Sequence, residues 1–256
     1  MVKRTLEDLL DLEVLSNSVG RLGKRDVHLW VANRVSCRER NNLAEFFLSE
    51  DEQNRAQRFR FSRDRDLFVM GRYITRRLLA HYAGSTPDKV KIVTDASGKP
   101  STDLGLNFNI SHSHDQLLLG FSDSVIGVDI EKKDYLADLE SLGDSHFSEI
   151  EFQIMMDDAK GKRCDTFFEI WTKKESLVKG IGKGLGLSLQ DFNVMGCNGK
   201  VQWCLPAVQT GDWYVRELEA EPGYKSAFAT QYATVKYAGI RKIYNMRLHL
   251  CNLCRV

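Results

Sequence analysis

The clearest hydrophobic pattern in the chain is the run Ile-Gly-Val-Asp-Ile-Glu at residues 126–131. Its apolar residues alternate with the others at a period of two, which predicts a β-strand with one apolar face. Asp129 and Glu131 then lie on the opposite face, about 6–7 Å apart, and Gly127 leaves room there for another group. Neighbouring carboxylates repel each other unless a proton or a cation lies between them. The pattern fits either a half-buried strand with a solvated acidic face or a cation site.

Helix signals occur at four places in the chain. Two capping boxes, Ser49-x-x-Glu52 and Ser148-x-x-Glu151, each predict the start of a short helix. Apolar residues at helical spacing predict a helix that begins at Ser62, and a stronger one over residues 166–179. We expect Gly180 to end this last helix as its C-cap.

Period-two alternation and turn residues predict the strands. The main predicted strands are 27–31, 91–93, 117–121, 126–131, 213–219 and 226–231. A two-residue turn at 123–124 predicts an antiparallel hairpin between 117–121 and 126–131, and Asn198-Gly199 predicts another hairpin.

The order of these elements predicts an α+β fold in which each half has a helix followed by strands. We expect an N-terminal half at 1–125, a C-terminal half at 126–232 and a basic C-terminal tail at 233–256. The last segment has five Lys or Arg and no acidic residue. It fits either a tail or a further strand.

Composition and charge are those of an ordinary globular protein. The chain has 256 residues, 43% hydrophobic and 28% charged, and a net charge of +1. No global field therefore indicates nucleic acid or a membrane as a partner, and no run of about 18 apolar residues occurs. Residues 1–20 are too charged for a signal peptide, so we expect a cytoplasmic protein.

The six cysteines are widely scattered, and in a cytoplasmic protein we expect reduced thiols. A single Cys251-x-x-Cys254 pair without a second pair is a weak zinc signal.

Two further charge patterns bear on chemistry. Eight arginines lie between Arg55 and Arg77, opposed only by Asp64 and Asp66. Guanidinium groups suit phosphate, although a solvated helix face explains such a run equally well. Residues 180–186 are rich in glycine but follow a helix, whereas a phosphate-binding loop precedes one.

Two motifs together resemble a known family. Gly-Val-Asp-Ile-Glu at 127–131 and Trp-Thr-Lys-Lys-Glu-Ser-Leu-Val-Lys at 171–179 resemble G-(I/V)-D and (F/W)-x-x-K-E-(S/A)-x-x-K of the Sfp-type 4′-phosphopantetheinyl transferases. Phe-Asn-Ile-Ser-His-Ser at 108–113 resembles that family's F-N-(I/L)-S-H-S segment. Residues 98–100, 58–71 and 223–225 also fit.

The resemblance implies a monomer of two similar α+β halves related by a pseudo-twofold, each a small antiparallel sheet with a long helix. It implies a holo-[acyl-carrier-protein] synthase that binds coenzyme A between the halves. Such an enzyme moves 4′-phosphopantetheine to a serine of an apo carrier protein (acyl, peptidyl or aryl carrier) and releases adenosine 3′,5′-bisphosphate.

The resemblance also implies roles for individual residues. Asp129, Glu131 and Glu175 correspond to ligands of Mg²⁺, with Mn²⁺ as an alternative ion, and Mg²⁺ prefers carboxylates together with phosphate oxygens. Glu175 also corresponds to the general base. Lys179, one helical turn later, would stabilise charge on the pyrophosphate. The residues that correspond to phosphate contacts of coenzyme A are Arg63, Lys99, Ser111 and His112.

Two other function classes stay open at this point. One is an Mg²⁺-dependent nucleotide phosphohydrolase, which would use water in place of the carrier serine. The other is a non-catalytic relative that binds carrier proteins. The full set of Asp129, Glu131, Glu175 and Lys179 argues against the second class, because a binding module needs no metal site.

Overall fold

The computed structural model describes residues 20–34, 48–95, 98–182, 186–204 and 211–243. These residues form an α+β fold of five α-helices and several small sheets, which confirms the predicted fold class. No helix among them is long and apolar enough to cross a membrane. Cys251 and Cys254 lie outside the described residues.

The helices follow their local signals closely. They are α1 (Glu50–Gln57), α2 (Ser62–Ala83), α3 (Leu139–His146), α4 (Glu149–Asp157) and α5 (Arg163–Ile181). Both capping boxes are present, with Ser49 and Ser148 at the N-caps of α1 and α4. Helix α3 was not predicted, because its segment is short and polar.

The strands form four sheets in the described residues. They are β1 (Asp26–Asn33), β2 (Ile92–Thr94), β3 (Pro100–Thr102), β4 (Asn107–Ser113), β5 (Gln116–Ser122), β6 (Ile126–Lys132), β7 (Phe192–Asn193), β8 (Gln202–Trp203), β9 (Tyr214–Leu218), β10 (Tyr224–Thr230) and β11 (Lys236–Ile243). The strand orders are β11-β1-β5-β4, β6-β10-β9, β2-β3 and β7-β8. Strand β11 shows that part of the predicted basic tail is a strand.

The predicted hairpin of β5 and β6 is wrong. Strand β5 pairs with β4, and β6 pairs antiparallel with β10, so the two strands belong to different sheets. The residue that was expected in a tight turn, Asp123, instead binds distant groups. Its carboxylate accepts hydrogen bonds from the Arg25 N–H at 3.1 Å and the Tyr232 hydroxyl at 3.2 Å.

The chain forms two compact units. The described residues of the first unit are 20–21, 32–34, 48–90 and 242–243, and the second unit comprises Leu22–Val31 and Lys91–Arg241. The predicted division at residue 125 and the pseudo-twofold between halves stay predictions.

In the first unit, a buried ion cluster joins α1 to α2. The Glu52 carboxylate lies 2.6 Å from Arg76 Nη2 and 3.6 Å from Arg72 Nε. The Arg76 guanidinium also donates to the carbonyl oxygen of Val90. Two of the eight clustered arginines are therefore structural, because their side chains are almost entirely buried.

In the second unit, α5 packs on β6 and β10 with almost no space between the backbones. A Cβ at Gly127 would lie 1.9 Å from the Ser176 carbonyl oxygen and 2.3 Å from the Gly180 nitrogen. A Cβ at Gly180 would lie 2.8 Å from the ring of Trp213. Gly180 thus serves close packing, and the helix ends at a different C-cap, Gly182, with φ of 75°.

Candidate active site

Three polar side chains of β4 bind one edge of β6. Their oxygens accept hydrogen bonds from alternate backbone N–H groups of β6, namely Asn109 from Val128 at 2.9 Å, Ser111 from Ile130 at 3.4 Å and Ser113 from Lys132 at 3.0 Å. Because side chains on a strand alternate in direction, the Asn-x-Ser-x-Ser spacing places all three on the face toward β6. This contact positions the acidic residues of β6.

Asp129 is at the centre of the site and is completely buried. Its Oδ1 accepts hydrogen bonds from Lys179 Nζ at 2.5 Å and from the Ser111 hydroxyl at 2.8 Å. Its Oδ2 is buried and has no hydrogen-bond partner among the described residues. A solvated acidic face is therefore the wrong interpretation for Asp129, because α5 covers it.

Lys179 is held by β6 and β4 rather than by its own helix. Its Nζ donates to the Asp129 carboxylate and lies 3.0 Å from the Ser111 hydroxyl oxygen. About a third of its side chain remains exposed. The i,i+4 pairing with Glu175 that helical spacing suggests is thus replaced by a long-range ion pair.

Glu131 and Glu175 carry negative charge close to Asp129. Burial raises the pKa of Glu131, the Asp129 carboxylate raises it further, and the hydrogen bond from the Ser113 hydroxyl at 2.8 Å lowers it. Burial also raises the pKa of Glu175, and Asp129 adds to this increase, while Lys179 and His146 oppose it. Lys179 therefore compensates part of the negative charge of all three carboxylates.

The described residues contain no group of three or more His, Cys, Asp or Glu side chains that is arranged to hold a metal ion. The predicted set of Asp129, Glu131 and Glu175 is electrostatically coupled. Its role as a ligand set stays a prediction.

Lys99 reaches the same region from the segment before β3. Its Nζ donates to the carbonyl oxygens of Lys179 at 2.7 Å and Gly180 at 2.9 Å, at the carboxyl end of α5. A cation at this end of a helix interacts favourably with the helix dipole. Burial lowers the pKa of Lys99, and Asp95 opposes this effect.

The other two predicted phosphate contacts have different surroundings. His112 is exposed and lies on the face of β4 opposite Ser111. Arg63 belongs to the first unit, where it is near the start of α2, is about half exposed and lies 3.3 Å from Asp64. Their binding roles stay predictions.

The second unit contains a cavity of about 720 Å³ beside the carboxylate site. Lys99, Glu175 and Lys179 line part of it, and its remaining wall is largely apolar. Residues that were not predicted also line it, namely Ser145, His146, Trp171, Leu187, Ser188 and Leu189. The rings of His146 and Trp171 meet edge to face, with centroids 5.5 Å apart. Trp171 was visible only as a motif residue, and His146 belongs to the unpredicted helix α3.

Comparison with known proteins gives the family. Residues 125–233 match the model of the 4′-phosphopantetheinyl transferase superfamily, and residues 36–122 match that of a 4′-phosphopantetheinyl transferase N-terminal region.

Individual relatives agree with these matches. The 4′-phosphopantetheinyl transferase Sfp of Bacillus subtilis is 31% identical over 76% of this chain and 87% of its own length. HetI of Nostoc is 34% identical over 62% of this chain and 70% of its own. The L-aminoadipate-semialdehyde dehydrogenase-phosphopantetheinyl transferase of Xenopus laevis is 32% identical over 55% of this chain and 51% of its own length. The chain is therefore a transferase and belongs to the 4′-phosphopantetheinyl transferase superfamily.

Proposed function

We propose that this chain transfers the 4′-phosphopantetheine group of coenzyme A to a serine of an apo carrier protein and releases adenosine 3′,5′-bisphosphate, with Mg²⁺ as cofactor. Family membership supports transfer to a carrier protein. The observation that carries the finer proposal is the buried Asp129, with Glu131 and Glu175 beside it. Glu175 and Lys179 line a cavity whose volume is typical of small-molecule sites.

The chemistry of these residues fits a divalent cation. Asp129 Oδ2 is buried and accepts no hydrogen bond from the part of the chain that the structure describes, and the charges of Asp129 and Glu131 are only partly compensated. Mg²⁺ commonly takes one or two protein carboxylates together with water and substrate phosphates, so a complete protein cage is unnecessary. Asp129, Glu131 and Glu175 would hold the ion, which when bound neutralises charge that develops on the pyrophosphate.

The protein side chains supply the remaining steps. The serine oxygen of the carrier forms a bond to the phosphorus that carries pantetheine, and the bond from this phosphorus to the bridging oxygen breaks. The electron pair leaves with adenosine 3′,5′-bisphosphate, and the serine proton passes to the Glu175 carboxylate. Burial raises the pKa of the metal-free Glu175 carboxyl, and a carboxylate within hydrogen-bond reach of the serine hydroxyl can act as a general base. Lys179, partly exposed at the cavity, stabilises charge on the pyrophosphate.

The phosphate contacts of coenzyme A are assigned to Arg63, Lys99, Ser111 and His112. A charge-assisted contact contributes roughly 1.5–3 kcal/mol, which corresponds to a factor of about 10–150 in binding. If Arg63 contacts the 3′-phosphate, Arg63→Ala should raise KM for coenzyme A by such a factor and change KM for dephospho-coenzyme A much less. Equal losses with both substrates would contradict this assignment.

The proposed reaction is tested by the intact mass of purified apo carriers. Carriers from fatty-acid, polyketide, nonribosomal-peptide and lysine pathways are incubated with the protein, coenzyme A and Mg²⁺, and parallel samples contain EDTA. We expect at least one carrier to gain the mass of phosphopantetheine only when the cation is present. Release of phosphopantetheine without a carrier would favour the phosphohydrolase alternative, and no reaction with any carrier would refute the proposal.

A further inference from the structure

Lys174 precedes Glu175 in the motif, yet its side chain points away from the cavity into the protein core. It is completely buried. Its Nζ lies 2.6 Å from Glu151 Oε2 and donates to the carbonyl oxygens of Leu189 and Phe192, each at 2.6 Å. The ammonium group also lies 4.3 Å from the centroid of the Phe192 ring. All three N–H donors of Lys174 are thus used by the protein, so this lysine does not contact substrate.

Glu151, the partner of Lys174, extends the network to two other segments. Its Oε2 accepts hydrogen bonds from the Ser148 N–H at 2.9 Å and the Ser148 hydroxyl at 2.7 Å, at the start of α4. Its Oε1 accepts from the Val194 N–H at 2.7 Å. One buried ion pair therefore joins α5, the N-terminus of α4 and the segment 189–194.

This segment continues directly into the cavity wall. Leu187, Ser188 and Leu189 line the cavity together with Glu175. Lys174 holds the Leu189 carbonyl group from the inside, while Glu175, the next residue on the same helix, faces the ligand side. Burial lowers the pKa of Lys174 and its pairing with Glu151 opposes this, which is the electrostatic cost of placing an ammonium group here.

We propose that Lys174 is a positioning residue whose buried pairing with Glu151 fixes the 187–189 wall of the cavity relative to Glu175. The consequence for catalysis rests on the proposed function, in which coenzyme A occupies this cavity. A buried ion pair contributes little to stability compared with apolar residues of similar size. Its value here is geometric, because a fixed wall need not be ordered when the ligand binds.

Two variants separate this role from simple stabilisation. Lys174→Met alone leaves the Glu151 charge buried and unpaired, so this variant is expected to fold poorly. The double variant Lys174→Met with Glu151→Gln removes both charges of this pair. It lacks the lysine bonds to Leu189 and Phe192, and its new glutamine side chain keeps one acceptor oxygen where Glu151 has two. Lys173→Met is the matched control, because the neighbouring Lys173 ammonium pairs with Glu169 at 2.6 Å on its own helix. Its other contact, with Met195 Sδ at 3.4 Å, lies outside the segment 189–194.

The first measurement is hydrogen exchange of the ligand-free protein. In the double variant, peptides that cover residues 187–194 should exchange at least about tenfold faster than in wild type, because charge-assisted bonds that hold this segment are lost. Peptides that cover β4 and β5, and all peptides of the Lys173→Met control, should be unchanged. Unchanged exchange at 187–194 in the double variant would overturn the proposal.

The second measurement is steady-state kinetics with an apo carrier. The double variant should raise KM for coenzyme A at least about tenfold and keep kcat within about threefold, because the wall must be ordered on binding. An unchanged KM would overturn the positioning role even if the melting temperature falls. If the wild type modifies no carrier, the proposed reaction is refuted. If the double variant also loses protection at 187–194, the structural role of Lys174 is still supported.

Discussion

Lys179 and Asp129 form an ion pair, and removing one partner should lower the stability of the fold more than removing the other. Lys179→Met leaves a completely buried carboxylate that keeps only the hydrogen bond from Ser111. Asp129→Asn leaves an ammonium group that is already one-third exposed and can move into solvent. The lysine variant should therefore be the less stable of the two in metal-free buffer.

The size of the effect follows from the burial of each partner. Breaking a fully buried ion pair from one side costs about 3–5 kcal/mol. Since water reaches part of Lys179, we expect about 2–3 kcal/mol for Lys179→Met, which for a chain of this size is a fall in melting temperature of about 4–12 °C. For Asp129→Asn we expect about 1–2 kcal/mol, the loss of one charge-assisted hydrogen bond.

Thermal unfolding in EDTA measures this difference. Lys200→Met is the control, because Lys200 and Asp212 form an exposed pair at 3.0 Å, and exposed pairs contribute little to stability. Added Mg²⁺ should raise the melting temperature of Lys179→Met more than that of wild type, because it compensates the Asp129 charge. If Lys179→Met is as stable as Lys200→Met, the buried charge of Asp129 is not held by Lys179 and the reasoning fails.

Three other predictions concern neighbouring residues. Glu175→Gln should lower kcat at least about a hundredfold in the carrier mass assay while coenzyme A affinity stays within a few-fold, and a loss below about tenfold would exclude Glu175 as the base. The folded-state pKa of Glu131 lies above its ordinary value of 4.5, so its ionised form destabilises the fold. Thermal unfolding without metal is measured between about pH 4 and pH 8. Glu131→Gln should become more stable relative to wild type as the pH rises above about 4.5, the ordinary pKa of Glu. A stability difference that does not change with pH would contradict this. Gly127→Ala should cost about 1–3 kcal/mol in urea unfolding through overpacking. Gly186→Ala should have little effect, because a Cβ there meets no atom of the described residues within 4 Å.

Local signals in the sequence predicted most of the elements correctly. The capping boxes at Ser49 and Ser148 and the long helix before Gly182 depend on neighbouring residues, so short windows contain the information. Strand partners depend on distant residues. Strand β6 pairs with β10, whose residues lie almost a hundred positions later, and no local pattern distinguishes this partner from the adjacent β5.

The candidate site was predicted in its residues but not in its contacts. Asp129 and Lys179 were each identified, but their mutual contact joins a strand to a helix 50 positions away. The burial of Asp129 depends on the close approach of α5 at Gly127. Period-two alternation identifies the strand but does not show which element covers its polar face. Lys174 and Leu177 are three residues apart on α5 and both are buried, which agrees with helical spacing. The sequence marks Glu151, the partner of Lys174, only as part of a capping box.

The polar edge between β4 and β6 has a consequence for self-association. An uncovered strand edge with free N–H groups is a template on which another chain can add a strand. Here β10 covers one edge of β6, and the side chains of Asn109, Ser111 and Ser113 cover the N–H groups of the other. Apolar substitutions at these three positions would uncover donors along a strand rich in Ile and Val. Such variants should aggregate during folding, so the Asn-x-Ser-x-Ser spacing protects the edge of the acidic strand as well as positioning the strand.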